Sequence, residues 1–183
     1  MVLGWIIGGV IALIVIMFIV YYNKFVILGN RIDNSLAQID VQLKRRADLV
    51  PNLISTVKGY AKHEEKMISK VTEARKALLA AKDTEAKVKA GDKLQAALKT
   101  IFALAENYPN LKANENFLQL QNELSAIEDK IAYSRQFYND SILDYNNSVE
   151  KFPGAIFAKL YGKSEKPMLK IAESERALPK VGF

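Results

Sequence analysis

The side chains that could do chemistry in this sequence are few. It contains no cysteine, which excludes disulfides, thiolate metal sites and cysteine nucleophiles. His63 is the one histidine, so the HEEK stretch it opens is not the HExxH of a zinc protease. A di-iron bundle would need Glu-x-x-His twice, and one histidine forbids it. The neighbouring carboxylates Glu64 and Glu65, like Glu128 and Asp129, are adjacent in sequence and point to different helix faces, which removes paired acid–base work. The expectation is no catalytic residue, no metal site, no cofactor and no enzyme.

Two polar patterns remain. YYNKFVILGN (21–30) and YNDSILDYNN (138–147) each carry a second Asn seven residues after the first: Asn23 and Asn30, then Asn139 and Asn146. Seven residues is two helical turns, so each pair occupies one stripe of its helix. Together with Tyr138 and Tyr145 they predict a polar, membrane-proximal cluster in which the amides bond across helices and fix register. The alternative use is a vestibule for an ion, a lipid headgroup or a partner.

The second pattern is Lys44-Arg45-Arg46. Arg46 falls on the stripe of Ile32, Ile39, Leu53 and Tyr60, where an apolar residue is expected. An inward arginine needs an acidic partner, because an unpaired buried charge is very costly. Helix heights offer Glu123 or Glu128 to Arg46, and Asp33 or Asp40 to Arg135. The alternative for these cations is a partner-binding basic patch.

The elements that must position these residues read as helix throughout. Residues 1–23 carry no charged side chain and are almost wholly apolar, long enough to cross about 30 Å of hydrocarbon. Trp5 stands near one end and Tyr21 and Tyr22 at the other, as interfacial aromatics do. No basic n-region or small-residue cleavage site is visible, so the span is expected to be retained. No Lys or Arg precedes it, whereas Lys24, Arg31 and Lys44–Arg46 follow. The positive-inside rule then puts the N-terminus outside and the remainder, residues 24–183, in the cytoplasm. Gly4 and Gly8 form a GxxxG spacing that suits close helix association.

Beyond the span, Ile32, Leu36, Ile39, Leu43, Val50, Leu53, Val57 and Tyr60 keep an apolar 4-3 spacing in register across Pro51, which predicts a kink rather than a stop. Residues 63–81 and 84–106 are rich in helix formers, with Gly91-Asp92 a weak point in the second. Pro109, flanked by Asn107 and Asn110, marks a turn, and Asn114 can cap a long return helix. That helix carries the stripe Phe117, Leu124, Ile131, Tyr138, Tyr145, Phe152, beside Leu120, Ile127, Ser134, Ser141, Ser148. The fold class expected is all-α: a transmembrane helix (1–23) continuing into an antiparallel four-helix bundle of long helices (24–150), then a basic tail (151–183).

The formal charge of +6 is uneven: counted along the chain, residues 111–150 carry −4 and residues 151–183 carry +4. No basic, aromatic groove suits nucleic acid. In the tail, Phe152, Ile156, Phe157, Leu160 and Tyr161 alternate with Lys151, Lys159, Lys163 and Lys166, which suits a segment lying on anionic lipid, or one folded back on the bundle.

Three stretches, QIDVQLKRRADLVPNLISTVKGYAKHE, ENYPNLKANENFLQLQNEL and YNDSILDYNNSVEKFPG, in this order and spacing, resemble the LemA family of bacterial membrane proteins. The resemblance implies one N-terminal span and a cytoplasmic helical bundle. It implies no activity; some members are encoded beside membrane metalloproteases of the HtpX type or among magnetosome genes. The function expected is a homo-oligomeric membrane scaffold with membrane lipid as a partner. The alternatives are a monomeric adaptor for a membrane protease or transporter, and a subunit of an oligomeric pore with Asn23 and Asn30 at its mouth.

Overall fold

The computed structural model describes residues 1–61 and 63–169. The part of the tail expectation that concerns residues 170–183 lies outside them. The described chain is all-α, with six helices: α1 Val2–Tyr60, α2 Glu65–Ala80, α3 Thr84–Ala105, α4 Pro109–Lys112, α5 Glu115–Glu150 and α6 Gly154–Leu160. Local signals set most boundaries. Asp83 caps α3, its carboxylate accepting from Ala86 N at 2.8 Å. Asn114 begins α5 in the same way, Oδ1 accepting from Phe117 N at 3.0 Å. Its amide also donates to the Tyr60 hydroxyl at 3.0 Å. The one-turn α4, where the sequence predicts a plain turn, has Pro109 at its start, where a missing N–H costs nothing.

α1 runs through Pro51 without interruption. Proline cannot donate to the carbonyl four residues back, which leaves Ala47 O without its helical partner. Arg75 of α2 supplies the missing donor, Nε to Ala47 O at 2.7 Å. This pairing predicts a coupled pair of mutants. Arg75→Ala costs about 1–2 kcal/mol of stability in the parent, since a buried carbonyl loses its donor. In a Pro51→Ala background, where residue 51 donates again, the same change costs less than half as much. A double-mutant cycle by chemical denaturation reads the difference; equal costs in both backgrounds would break the link.

The described chain forms two compact units. In one, residues 36–135, the buried side chains come from four helical segments. α1 gives Ile39, Leu43, Ala47, Val50, Leu53 and Val57; α2 gives Ile68, Val71 and Leu78; α3 gives Val88, Leu94, Leu98 and Ile101; α5 gives Phe117, Leu124, Ile127 and Ile131. Contacts set their directions. α5 is antiparallel to α1, with Arg46 on Glu128 and Tyr60 on Asn114. α3 runs parallel to α1, with Asp40 on Lys87 and Arg46 on the Gly91 carbonyl. These directions are consistent with the antiparallel four-helix arrangement. α3 is unbroken at Gly91, which is buried; a Cβ there would come within 2.6 Å of Leu43 Cδ2, so the glycine lets α3 approach α1 closely.

The other unit comprises Met1–Ser35 and Gln136–Leu169. Its core is Phe25, Leu28, Ile32, Ile142, Tyr145, Phe157 and Ala158. The expected serine stripe is buried here: Ser141 and Ser148 donate to the carbonyls of Phe137 and Asp144, and Ser35 to that of Arg31, each one turn back. Small hydroxyls satisfied within their own helix let the two helices close without needing polar partners across the gap. α1 is the one helix among the described residues long and apolar enough to cross a membrane, and none of its apolar window is buried.

Candidate functional site

In the unit of residues 36–135, Lys44 and Arg45 are exposed, while Arg46 is 1% exposed. Its guanidinium pairs with Glu128, one of the two expected partners, and reaches the Gly91 carbonyl at 3.4 Å. Arg135 pairs with Asp92 at 2.5 Å, not with Asp33 or Asp40. The difference from expectation arises because α3, packed beside α1 and α5, brings a nearer carboxylate; Asp40 is held instead by Lys87. Two cations and two carboxylates thus lie together. Burial first, and the neighbouring Arg135 next, pull the Arg46 pKa down to about 10, with Asp92 opposing them. The guanidinium therefore stays charged at neutral pH. Arg46 is sealed from solvent, and through it and Arg135 the cluster joins α1, α3 and α5. Among the described residues no group of three His, Asp or Glu is placed to hold a metal ion.

In the unit of 1–35 and 136–169, the Asn residues do not form one cluster. Asn23 and Asn30 are exposed. Asn139 and Asn146 turn to the tail, and each amide makes two bonds to one peptide backbone. Asn146 Nδ2 donates to Lys166 O and Oδ1 accepts from Lys166 N, both at 2.9 Å. Asn139 does the same with Leu169, at 3.2 and 2.9 Å. The geometry closes on simple lengths. Seven residues of α5 rise about 10.5 Å, and three residues from 166 to 169 span about 10 Å only when nearly fully extended. Pro167 lies between the two clamped residues, where no N–H needs a partner. Lys166 Nζ also lies over the Tyr145 ring, 5.4 Å from its centre. Burial pushes the Tyr138 and Tyr145 hydroxyls up from their ordinary pKa, Asp33 adding to the effect at Tyr138.

Of the tail residues, Phe157 and Tyr161 fold back on the chain's own helices, the second of the two expected arrangements. Phe157 is buried, stacked on Tyr21 with ring centres 4.9 Å apart and edge-on to Phe18. The Tyr161 hydroxyl donates to Phe18 O at 2.7 Å. α6 is amphipathic, and its aromatic side is taken up by α1. Gly154 makes this possible, since a Cβ there would collide with the Ser148 carbonyl. Gly162, at φ 61°, ends the helix, with Lys163 N donating to Ala158 O at 2.8 Å, and turns the chain toward the Asn clamps. The other tail residues, Phe152, Ile156, Lys159, Leu160 and Lys163, remain exposed, Phe152 at 83%. Gly4 and Gly8 also stand open: a Cβ on either would meet nothing within 4 Å.

The roles of Arg75 and of the clamped segment 166–169 follow from weaker signals in the sequence. Pro51 inside an unbroken apolar register was the signal for the first, since it orphans a carbonyl. Gly162 and Pro167, punctuating the basic tail, were the signal for the second.

The chain is similar to the Protein LemA of Metamycoplasma hominis, 30% identical over 127 residues that make 67% of this chain and 57% of that protein. It is also similar to the Magnetosome protein MamQ of Magnetospirillum gryphiswaldense, 25% identical over 167 residues, 77% of this chain and 61% of that one. The chain therefore spans less than two thirds of either relative's length. The LemA family model matches residues 35–183, the greater part of the sequence, which takes in the buried charge cluster and both Asn clamps. The chain belongs to the LemA family.

Proposed function

We propose that the protein is a non-enzymatic, single-pass scaffold of the bacterial inner membrane that works as a homo-oligomer, with its helical domain in the cytoplasm. The observation that carries this reading is the start of α1. Its apolar side chains are exposed all round, and nothing among the described residues covers them. Lipid or other copies of the same helix must. Gly4 and Gly8 leave a flat face for a second helix to approach. α1 continues out of the apolar segment as one helix, Val2–Tyr60. The charge bias of the flanks supports the orientation. A relative named as a magnetosome protein is in keeping with a part in organising a membrane.

The test is the mass of the full-length protein in native nanodiscs, by light scattering, joined to crosslinking. With no native cysteine, Gly4→Cys and Gly8→Cys are clean reporters. A single defined oligomer, crosslinked well above random-collision levels, is expected. A clean monomer would overturn the scaffold and the oligomeric pore alike. It would favour the adaptor for a membrane protease or transporter, for which exposed Lys44 and Arg45 offer a basic face.

A further inference from the structure

A groove of about 450 Å³ opens where the apolar run of α1 gives way to charge. Its walls include Tyr21 and Lys24 from α1, Asp144, Asn147 and Lys151 from α5, and Phe152 just beyond it. That size is ordinary for a small-molecule site. Its chemistry is divided. Lys24 and Lys151 are exposed, and no carboxylate is paired with either in the described structure. Asp144, the one acidic wall residue, is engaged with Arg31 at 3.4 Å, so the groove is left net cationic. The Asn147 amide and the Tyr21 hydroxyl add neutral hydrogen-bonding groups. Phe152, 83% exposed, supplies a large apolar surface on the same rim.

Position narrows the ligand further. Tyr21 lies in the last turn of the uncharged run, and Lys24 is the first charged side chain after it. Phe18, a turn earlier, holds Tyr161 through its carbonyl and the Phe157 ring edge-on, so α6 sits at the same level. Ile156 and Leu160 face outward from it. In a bilayer this is the depth of the phosphates, with acyl chains on one side and water on the other. A free phosphate would use the lysines and leave Phe152 and the outer face of α6 in water. A molecule with an anionic head and apolar tails uses all of them.

We propose that this groove is a binding site for an anionic phospholipid, its phosphate held between Lys24 and Lys151 and its acyl chains laid along the exposed side of α1 beside Phe152. The site rests on the membrane-anchored reading above but not on the oligomer. Lys159 and Lys163 also attract an anionic surface, but they lie outside the groove and hold no particular molecule.

The test uses the full-length protein in phosphatidylcholine nanodiscs containing a minor share of phosphatidylglycerol, released into mild detergent, with retained lipid counted by native mass spectrometry. About one phosphatidylglycerol per chain is expected to stay bound. Lys24→Gln with Lys151→Gln lowers its retention about tenfold or more, whereas Lys159→Gln with Lys163→Gln lowers it less than about twofold. Equal loss from both pairs would overturn the site in favour of diffuse attraction, and so would equal retention of phosphatidylcholine. Displacement of the lipid by millimolar inorganic phosphate would overturn the lipid assignment and leave a phosphate site. A monomer that keeps its lipid defeats the scaffold alone; an oligomer without lipid defeats this site alone.

Discussion

Arg46→Ala will lower the thermal midpoint of the helical domain by about 6–20 °C. This follows from a cost of about 3–5 kcal/mol for breaking a buried pair and a shift of about 2–4 °C per kcal/mol in a chain of this size. The reason is the asymmetry of buried charge. Arg46 has lost nearly all its hydration, yet its Nε has no acceptor among the described residues, Arg135 repels it, and burial has already drawn its pKa down to about 10. The pair with Glu128 and the bond to the Gly91 carbonyl offset that cost. Truncation leaves Glu128 without its buried donor, takes from the Gly91 carbonyl the bond it makes beyond its own helix, and opens a void against α3.

Three companion variants separate charge from volume. Arg46→Lys recovers little, because a single ammonium on a shorter reach cannot serve two acceptors as a planar guanidinium does. Glu128→Gln costs less than Arg46→Ala, since the Glu128 side chain is 30% exposed and water can reach it. Arg46→Met combined with Glu128→Leu returns close to the parent, as apolar replacement of a whole buried pair often does. Circular dichroism melts of the full-length protein in mild detergent supply the midpoints. A midpoint for Arg46→Ala within about 2 °C of the parent would mean that water reaches the Arg46 guanidinium and that the pair is not structural.

The sequence made Arg46 conspicuous for a physical reason: a single charge interrupting an apolar stripe has few explanations, and most of them are inward pairing. The same stripe logic found the buried faces of α1 and α5, because one face of each helix meets the core along its length. Asp83 and Asn114 announced their helix starts, since capping is a local event. What could not be read were contacts that depend on the relative placement of distant elements. Arg135 was assigned a carboxylate on α1 because heights on two helices are easy to compare, but the register of α3 against α5 is set by packing that includes Gly91, and Asp92 is the result. The Asn residues taught the complementary lesson. Their spacing was rightly read as one stripe, but a stripe does not name its partner. Asn23 and Asn30 share the pattern and are exposed; Asn139 and Asn146 share it and meet backbone.

The Asn clamps carry the second large expected effect. Each of the two amides makes a donor and an acceptor bond to one residue of the tail, four bonds in all. At about 0.5–1.5 kcal/mol net apiece, they hold the segment by about 2–6 kcal/mol. Asn139→Ala with Asn146→Ala should therefore raise the open population of residues 163–169 by at least about thirtyfold. The readout is amide hydrogen exchange at Lys166 and Leu169, whose N–H groups donate to the two side chains. Protection at those two amides should collapse, while amides inside α5 keep theirs. Asn→Asp at both positions tests the bond pattern itself. It retains an acceptor for each N–H but sets a carboxylate against each carbonyl, so it should release the segment nearly as well as alanine does. Because α6 is held separately by Phe157 on Tyr21 and by Tyr161 on Phe18, amides of α6 should change little in either variant. If protection at Lys166 and Leu169 survives both pairs of substitutions, the Asn amides are bystanders and the tail is held by its side chains, with Lys166 on Tyr145 the first of them to remove.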